Sequence, residues 1–248
     1  MNDIAFSVEP DQWLSMCLRC KVGKFSFGLT RDDVYEGSPV GKIPLEDWDF
    51  IYAKISPAEI NKVRFLEDAG FYLIDTNLSL EKTLNKKTRK SGNRNIRFAS
   101  EGDKEHVEKL ARQSFTYSRF HLDPYFTKRT ANRIKASWAG CFFSGSRGNA
   151  MVVAEGGNSI CGFLQLLYLR EEIIIDLIAV DARFRRNNIA SGMIQFAEEN
   201  CTGFKIMRAG TQLVNIPSFQ LYQKLGFRMI SSQYVFHYNN GDGIHDHR

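Results

Sequence analysis

The run Ile173-Ile-Ile-Asp-Leu-Ile-Ala-Val180, followed directly by Asp181-Ala-Arg-Phe-Arg-Arg-Asn-Asn-Ile-Ala-Ser191, limits the architectures open to this chain more than any other stretch. About eight apolar residues rich in Ile and Val read as a strand buried on both faces. The run breaks into a short basic turn. Ile189, Met193, Ile194 and Ala197 then share one face at helical spacing. A strand, a tight turn and a helix start bring together backbone N–H groups without helical partners and the positive end of the helix dipole, which is an anion site. Arg183, Arg185 and Arg186 add positive charge where that site opens. An ordinary core strand leading into a core helix has the same spacing, so the spacing alone leaves both readings open.

The 248 residues allow one large or two small domains, and 43% hydrophobic with 12% aromatic residues supply ample core. The start of the chain lacks a basic segment followed by an apolar one, and no apolar run approaches the roughly 18–20 residues of a membrane span. A cytoplasmic protein without a membrane partner is expected. The net charge of +5 is modest. Basic residues cluster at Lys82 and from Lys86 to Arg97, but they are interleaved with Ser91, Gly92 and Asn93, so this reads as a solvated linker and no nucleic-acid partner is expected. Cys17, Cys20, Cys141, Cys161 and Cys201 fit reduced thiols. The lone Cys17-Leu-Arg-Cys20 pair has no further ligands at zinc-site spacing, and no metal is expected.

Strand signals stand at Phe25–Leu29 and Asp47–Ile55. Ser56-Pro-Ala-Glu59 predicts a helix start with Ser56 as cap, Pro57 at the first position and Glu59 closing a capping box, the helix running to Gly70. Residues 71–80 alternate as a strand, with Asp75 in an awkward place for a carboxylate if that strand is interior. Helices are expected over 103–115 and 130–139, strands over 150–155, 160–169, 172–180, 204–211 and 234–238, and helices over 189–198 and 217–225.

Val180, Arg185, Asn188 and Ala190 fall on the V-x-x-x-x-[Q/R]-x-x-G-x-[G/A] acyl-CoA motif of the GNAT acyltransferase superfamily, which this chain resembles. The departure is Asn188, where the family usually has Gly. Asn tolerates positive φ next best, so the turn stays feasible. Asn215-Ile-Pro-Ser-Phe-Gln-Leu-Tyr-Gln-Lys-Leu-Gly-Phe227 resembles the family's second motif, N-x-x-[AS]-x-x-x-Y-x-x-x-G-F. The resemblance implies an α/β (α+β) GNAT fold: a central mixed, mostly antiparallel sheet flanked by helices, preceded by a smaller N-terminal α/β domain. It implies acetyl-CoA as co-substrate, held by Ile178, Ala179 and Val180, by Arg185, Arg186, Asn187, Asn188, Ile189, Ala190 and Ser191, and by Asn215 and Tyr222. The Tyr222 phenol would protonate the departing thiolate, against the plain alternative of a helix aromatic in the core.

A narrower resemblance is to the dTDP-fucosamine acetyltransferases, which acetylate a 4-amino group on a nucleotide-linked 6-deoxy sugar. Three stretches carry it: Ser118-Arg119-Phe120, Thr211-Gln212 with Asn215 and Tyr222, and Gly70-Phe-Tyr-Leu-Ile-Asp75. It implies that residues 1–82 form a small domain contributing to the acceptor site, 83–94 a basic linker, and 95–248 the catalytic domain. Ser118, Arg119, Phe120 and Gln212 would bind the sugar nucleotide, with Arg119 on a phosphate. Asp75 stands where that family has Glu as the proposed base, one methylene shorter. Two other functions stay open: acetylation of a protein or peptide amine, and a non-catalytic acyl-CoA-binding module. A homodimer is compatible with the sequence.

Overall fold

A computed structural model describes residues 6–28, 43–84, 95–157 and 159–241. The Lys86–Arg94 part of the basic linker lies outside the described residues, as does Leu29. Along the chain the elements are β1 (Phe6–Pro10), α1 (Gln12–Leu18), β2 (Val22–Phe27), β3 (Phe50–Ile55), α2 (Ile60–Asp68), β4 (Tyr72–Thr83), β5 (Ile96–Phe98), α3 (Lys104–Ser114) and α4 (Arg119–Leu122). They continue with α5 (Lys128–Gly140), β6 (Ala150–Gly156), β7 (Ser159–Leu169), β8 (Glu172–Val180), α6 (Ile189–Asn200), β9 (Ile206–Gln212), α7 (Ile216–Lys224) and β10 (Arg228–Asn239). No helix among the described residues is long and apolar enough to cross a membrane.

Two compact units divide the chain, and they do not follow the expected boundaries at 82 and 95. The first unit takes 1–77, 119–130 and 232–248; the second takes 78–118 and 131–231. Strand pairing, which is non-local, sets this partition: the C-terminal half of β10 pairs antiparallel with β3, Tyr234 opposite Ile55 through Asn239 opposite Phe50.

In the first unit the strand order is β1-β2-β3-β10-β4, with β2 and β3 parallel. Alternation along β3 divides its side chains. Ile51, Ala53 and Ile55 join Phe25, Val63, Leu66, Phe71 and Phe236 in one apolar cluster. Phe50, Tyr52 and Lys54 point to the opposite face. There Phe126 packs edge-on against Phe50 and Phe120 at 5.2 and 5.3 Å between ring centroids.

The α2 helix starts at Ile60 with Glu59 at the cap position, not at Pro57 with Ser56 as cap. The Glu59 N–H donates to the Ser56 carbonyl in a turn, and the Glu59 carboxylate pairs with Lys62 instead of reaching back, so the capping box does not form. Its other end is as expected. Gly70, at φ +88°, donates to Glu67 and Phe71 donates to Leu66, a Schellman closure. Gly226 and Phe227 close α7 in the same way, donating to Gln223 and Tyr222.

The second unit orders its strands β4-β9-β8-β7-β6-β5, with β8 and β9 parallel and the β5–β8 neighbours antiparallel, the mixed, mostly antiparallel sheet expected. One face buries Leu78, Leu80, Val152, Leu164 and Met207 against Met193, Ile194, Ala197, Tyr222 and Phe227 of the α6 and α7 segments. The other buries Met151, Val153, Phe163, Leu177 and Ala179 against Val107, Leu110 and Ala111 of α3. The β8 strand is not fully buried on both faces. Ile173, Ile175, Leu177 and Ala179 are buried, while Ile174, Asp176, Ile178 and Val180 are half-buried, because only one face of the strand is completely covered at each point.

Candidate active site

The β8–α6 turn of the second unit has the shape its sequence predicts. Asn188 precedes the first residue of α6 at φ +58° and Arg186 sits at φ +66°, so the Gly-to-Asn departure is absorbed by a left-handed residue. No side chain caps α6. The Gly192 N–H donates to the Asn188 carbonyl, which leaves the N–H groups of Ile189, Ala190 and Ser191 facing outward as donors. Gly162 of β7 lets α6 approach: a Cβ there would stand 3.1 Å from both Ile189 and Met193 side-chain carbons.

The arginines divide their work. Arg185 Nε donates to the Val180 carbonyl and Nη2 to the Ser114 carbonyl, each at 3.1 Å, so this guanidinium braces the turn. Arg183 makes a two-pronged contact with Asp181. Asn187 Nδ2 donates to the Phe184 carbonyl. Arg186 is exposed, and no described residue pairs with it.

Beside the turn, the ladder between parallel β8 and β9 ends at Ile175–Ala209. Leu177 to Val180 remain paired to β7 alone. Ile178, Ala179 and Val180 therefore present an open backbone edge, as a bound extended chain would require.

Asn215 caps α7, its Oδ1 accepting from the Ser218 N–H at 3.3 Å, with Pro217 in the first turn. Gln212 ends β9. Tyr222 is 2% exposed and its ring lies 5.2 Å from that of Phe227. No described residue hydrogen-bonds to its hydroxyl. Burial pushes the phenol above its ordinary range, so it stays protonated at neutral pH and is available as a proton donor. Ser118, also in the second unit, is buried.

Within the first unit, Asp75, Arg119 and Phe120 come together with residues that sequence reasoning did not single out. The Arg119 guanidinium carbon stacks 3.8 Å above the Tyr52 ring and 4.6 Å from that of Phe120. Its Nη1 is sealed from water without a partner, although part of the residue reaches the surface. The Tyr52 hydroxyl donates to Asp11 Oδ2 at 2.9 Å. Burial, the largest influence, depresses the Arg119 pKa, while Tyr52, Asp11 and Asp75 act against it. Neither oxygen of buried Asp75 accepts a hydrogen bond. Burial raises its pKa to about 6, opposed by the Thr76 N–H, Lys54 and Arg119. Lys54, whose surface water still reaches, is lowered to about 8 by its dense surroundings and by Arg119 and Lys24.

On the same face His237 Nδ1 lies 2.7 Å from Asp123 Oδ2, both groups buried, and the Tyr72 hydroxyl donates to that carboxylate at 3.1 Å. Asn239 donates in turn to the Tyr72 oxygen. His237 Nε2 has no partner. Burial holds the His237 pKa down at about 4, with Asp123 opposing. A histidine depressed in the folded state contributes stability that is complete above pH 6.5 and is lost as pH falls toward 4, on the order of 3 kcal/mol. Urea denaturation at pH 7, 5 and 4 checks this. The difference between wild type and His237→Gln should shrink over that window, and a constant difference would exclude the titration of His237 as its source.

His237 and Asp123 went unremarked in the sequence, as did Asp11, Tyr52 and Asp176. A signal existed for two of them. His237 interrupts the apolar Tyr234–Tyr238 strand and Asp176 interrupts the Ile173–Val180 run, and a polar group inside such a run needs a partner. The cysteines are free thiols, and no described cluster of His, Cys, Asp or Glu could hold a metal ion.

The Acetyltransferase (GNAT) family profile matches residues 106–227. This segment is a GNAT acetyltransferase domain. A curated relative, the spore coat polysaccharide biosynthesis protein SpsD of Bacillus subtilis, is 34% identical over 138 residues, which is 55% of this chain and 47% of that protein. The chain thus spans about half the length of that relative. The GNAT fold recurs in the solved structure of a GCN5-related N-acetyltransferase from Sphaerobacter thermophilus, at TM-score 0.56 and 12% identity over 77% of this chain and 59% of the other. A functionally unknown conserved protein from Staphylococcus epidermidis gives TM-score 0.54 at 14% identity, over 79% of this chain and 75% of its own.

Proposed function

We propose that this chain transfers an acetyl group from acetyl-CoA to the amine of a nucleotide-linked amino sugar, a dTDP-4-amino-6-deoxy sugar in the first instance, for surface polysaccharide biosynthesis. The observation that carries acyl transfer is the open β8 edge beside an uncapped α6 start. Residues 177–180 offer backbone groups to an extended pantetheine arm, and the N–H groups of Ile189 to Ser191 offer donors to a pyrophosphate, with Arg186 adjacent. The similarity to a polysaccharide biosynthesis protein supports a sugar acceptor.

The reaction is a direct attack. The amine lone pair forms a C–N bond to the thioester carbon, charge gathers on the carbonyl oxygen near the Ile178 N–H, and the C–S bond then breaks. Tyr222 gives its proton to the departing sulfur, and the second proton that the attacking nitrogen sheds on becoming an amide returns the phenolate to the phenol. An amine at neutral pH is mostly an ammonium, so a base must first take a proton. Asp75 is assigned that role because its carboxylate is buried, unpartnered and shifted toward neutrality. Arg119 is assigned a phosphate of the acceptor because its guanidinium is buried with an idle donor and no carboxylate partner among the described residues. Ser118, Phe120 and Gln212 complete the acceptor assignment.

Thiol release from acetyl-CoA with a panel of dTDP- and UDP-linked amino sugars tests the reading. Turnover on a dTDP-4-amino sugar supports it. CoA binding without turnover on any sugar removes the sugar-nucleotide acceptor and directs the search to peptide amines.

A further inference from the structure

We infer that Asp176 is a positioning residue for acyl-CoA: it pins the β-bulge that opens the edge of β8. The inference rests on the acyl-CoA reading above. Leu166 lies opposite Ile175, and Gln165 lies opposite Leu177, so Asp176 is the one residue of β8 without a counterpart on β7. An extra residue flips every later side chain to the other face. Before the bulge, Ile173 and Ile175 pack into the cluster under α6. After it, Leu177 and Ala179 pack into the cluster under α3. The β8–β9 ladder also stops at Ile175. The ladder therefore ends at the residue just before the one that resets the phase of the four residues assigned to the pantetheine.

Nothing apolar at position 176 could hold that bulge as this carboxylate does. Trp138 Nε1 donates to Oδ2 at 2.8 Å, Arg147 donates through Nε at 2.7 Å and Nη2 at 2.6 Å, and Gln165 Nε2 donates at 3.1 Å. Four donors from α5, the loop after it and β7 converge on one carboxylate whose side chain is 5% exposed, although the residue as a whole is half-buried. Gln165 turns its amide so that Oε1 is left buried without a partner, an arrangement that favours donation to Asp176 over its own carbonyl. In the loop carrying Arg147, Gly148 sits at φ +105°, and a Cβ there would stand 3.1 Å from the Phe142 ring and 3.3 Å from the Gln165 side chain.

Three conservative variants, Asp176→Asn, Trp138→Phe and Arg147→Lys, test the inference in the full chain. Each is measured for CoA dissociation constant by calorimetry, for kcat and the two KM values, and for melting temperature. A shift of the reactive edge by a fraction of an ångström should weaken CoA binding in Asp176→Asn by about tenfold and lower kcat further, leaving the acceptor KM within about twofold. Trp138→Phe and Arg147→Lys, which remove or weaken one donor each, should show smaller shifts of the same pattern even if Asp176→Asn fails to fold. Ile194→Val, which loosens the same unit's core without touching the bulge, should lower the melting temperature with CoA affinity intact. If the Asp176, Trp138 and Arg147 variants lose stability but keep CoA affinity within about twofold, the inference is overturned and Asp176 is structural. A wild type that binds no CoA overturns the acyl-CoA reading itself and this inference with it.

Discussion

Tyr222→Phe should lower kcat by on the order of 10²–10⁴-fold while leaving the CoA dissociation constant within about twofold. The substitution removes one oxygen from a ring that is already packed in the core beside Phe227, so the fold has little to lose. No described residue hydrogen-bonds to that oxygen, and its removal leaves no described donor or acceptor stranded. Expelling a thiolate without a proton donor is the step that suffers. Single-turnover rates with saturating acetyl-CoA read the chemical step directly. A variant that keeps the wild-type rate would show that Tyr222 is only a core aromatic.

Asp75→Asn should produce the second large effect, and it runs in opposite directions for activity and stability. As the proposed base, Asp75 must be ionised, so kcat/KM should rise with pH along a limb near 6 that the variant loses, together with about 10²-fold or more in rate. A limb that persists in Asp75→Asn would assign the titration to another group. For stability the sign is inverted. An acid whose folded pKa lies above its ordinary 3.8 destabilises the fold as its carboxylate forms, a penalty absent near pH 4 and complete above about pH 6. Allowing for water near the group, that penalty is about 1–2 kcal/mol at pH 7, and the neutral amide removes part of it. The variant should therefore melt higher than wild type at pH 7, with the gap closing toward pH 4. Between pH 4 and 6 this slope opposes that of His237, so differences between variants and wild type, not the wild-type curve, separate the two.

Much of the second unit was legible because its signals are local. The strand signals at 150–155, 160–169 and 172–180, the Asn188 turn and the Asn215 cap each depend on residues within a few positions, and each recurs in the structure, although the continuous apolar run of β8 is fully covered on only one face at each point. The same local logic failed at Ser56-Pro57-Ala58-Glu59, where Lys62 draws the Glu59 carboxylate and the helix begins one turn later. It also passed over β1 and α1. What could not be read was partnership over distance. Asp176 depends on Arg147 and Trp138, 29 and 38 residues away, and His237 on Asp123, 114 residues away. The partition of the chain escaped for that reason too, since it depends on the pairing of β10 with a strand near the other end.

The Gly-Phe closures of α2 and α7 belong to a larger recurrence. In each case a strand leads to a nine-residue helix, a Gly-Phe turn and a twelve-residue strand, β3-α2-β4 and then β9-α7-β10. Set against each other from their first residues, the two helices place Leu66 where Tyr222 stands. The chain thus writes one supersecondary phrase twice and gives the phenol only to the second. The first copy has no hydroxyl at that place to substitute for a damaged Tyr222.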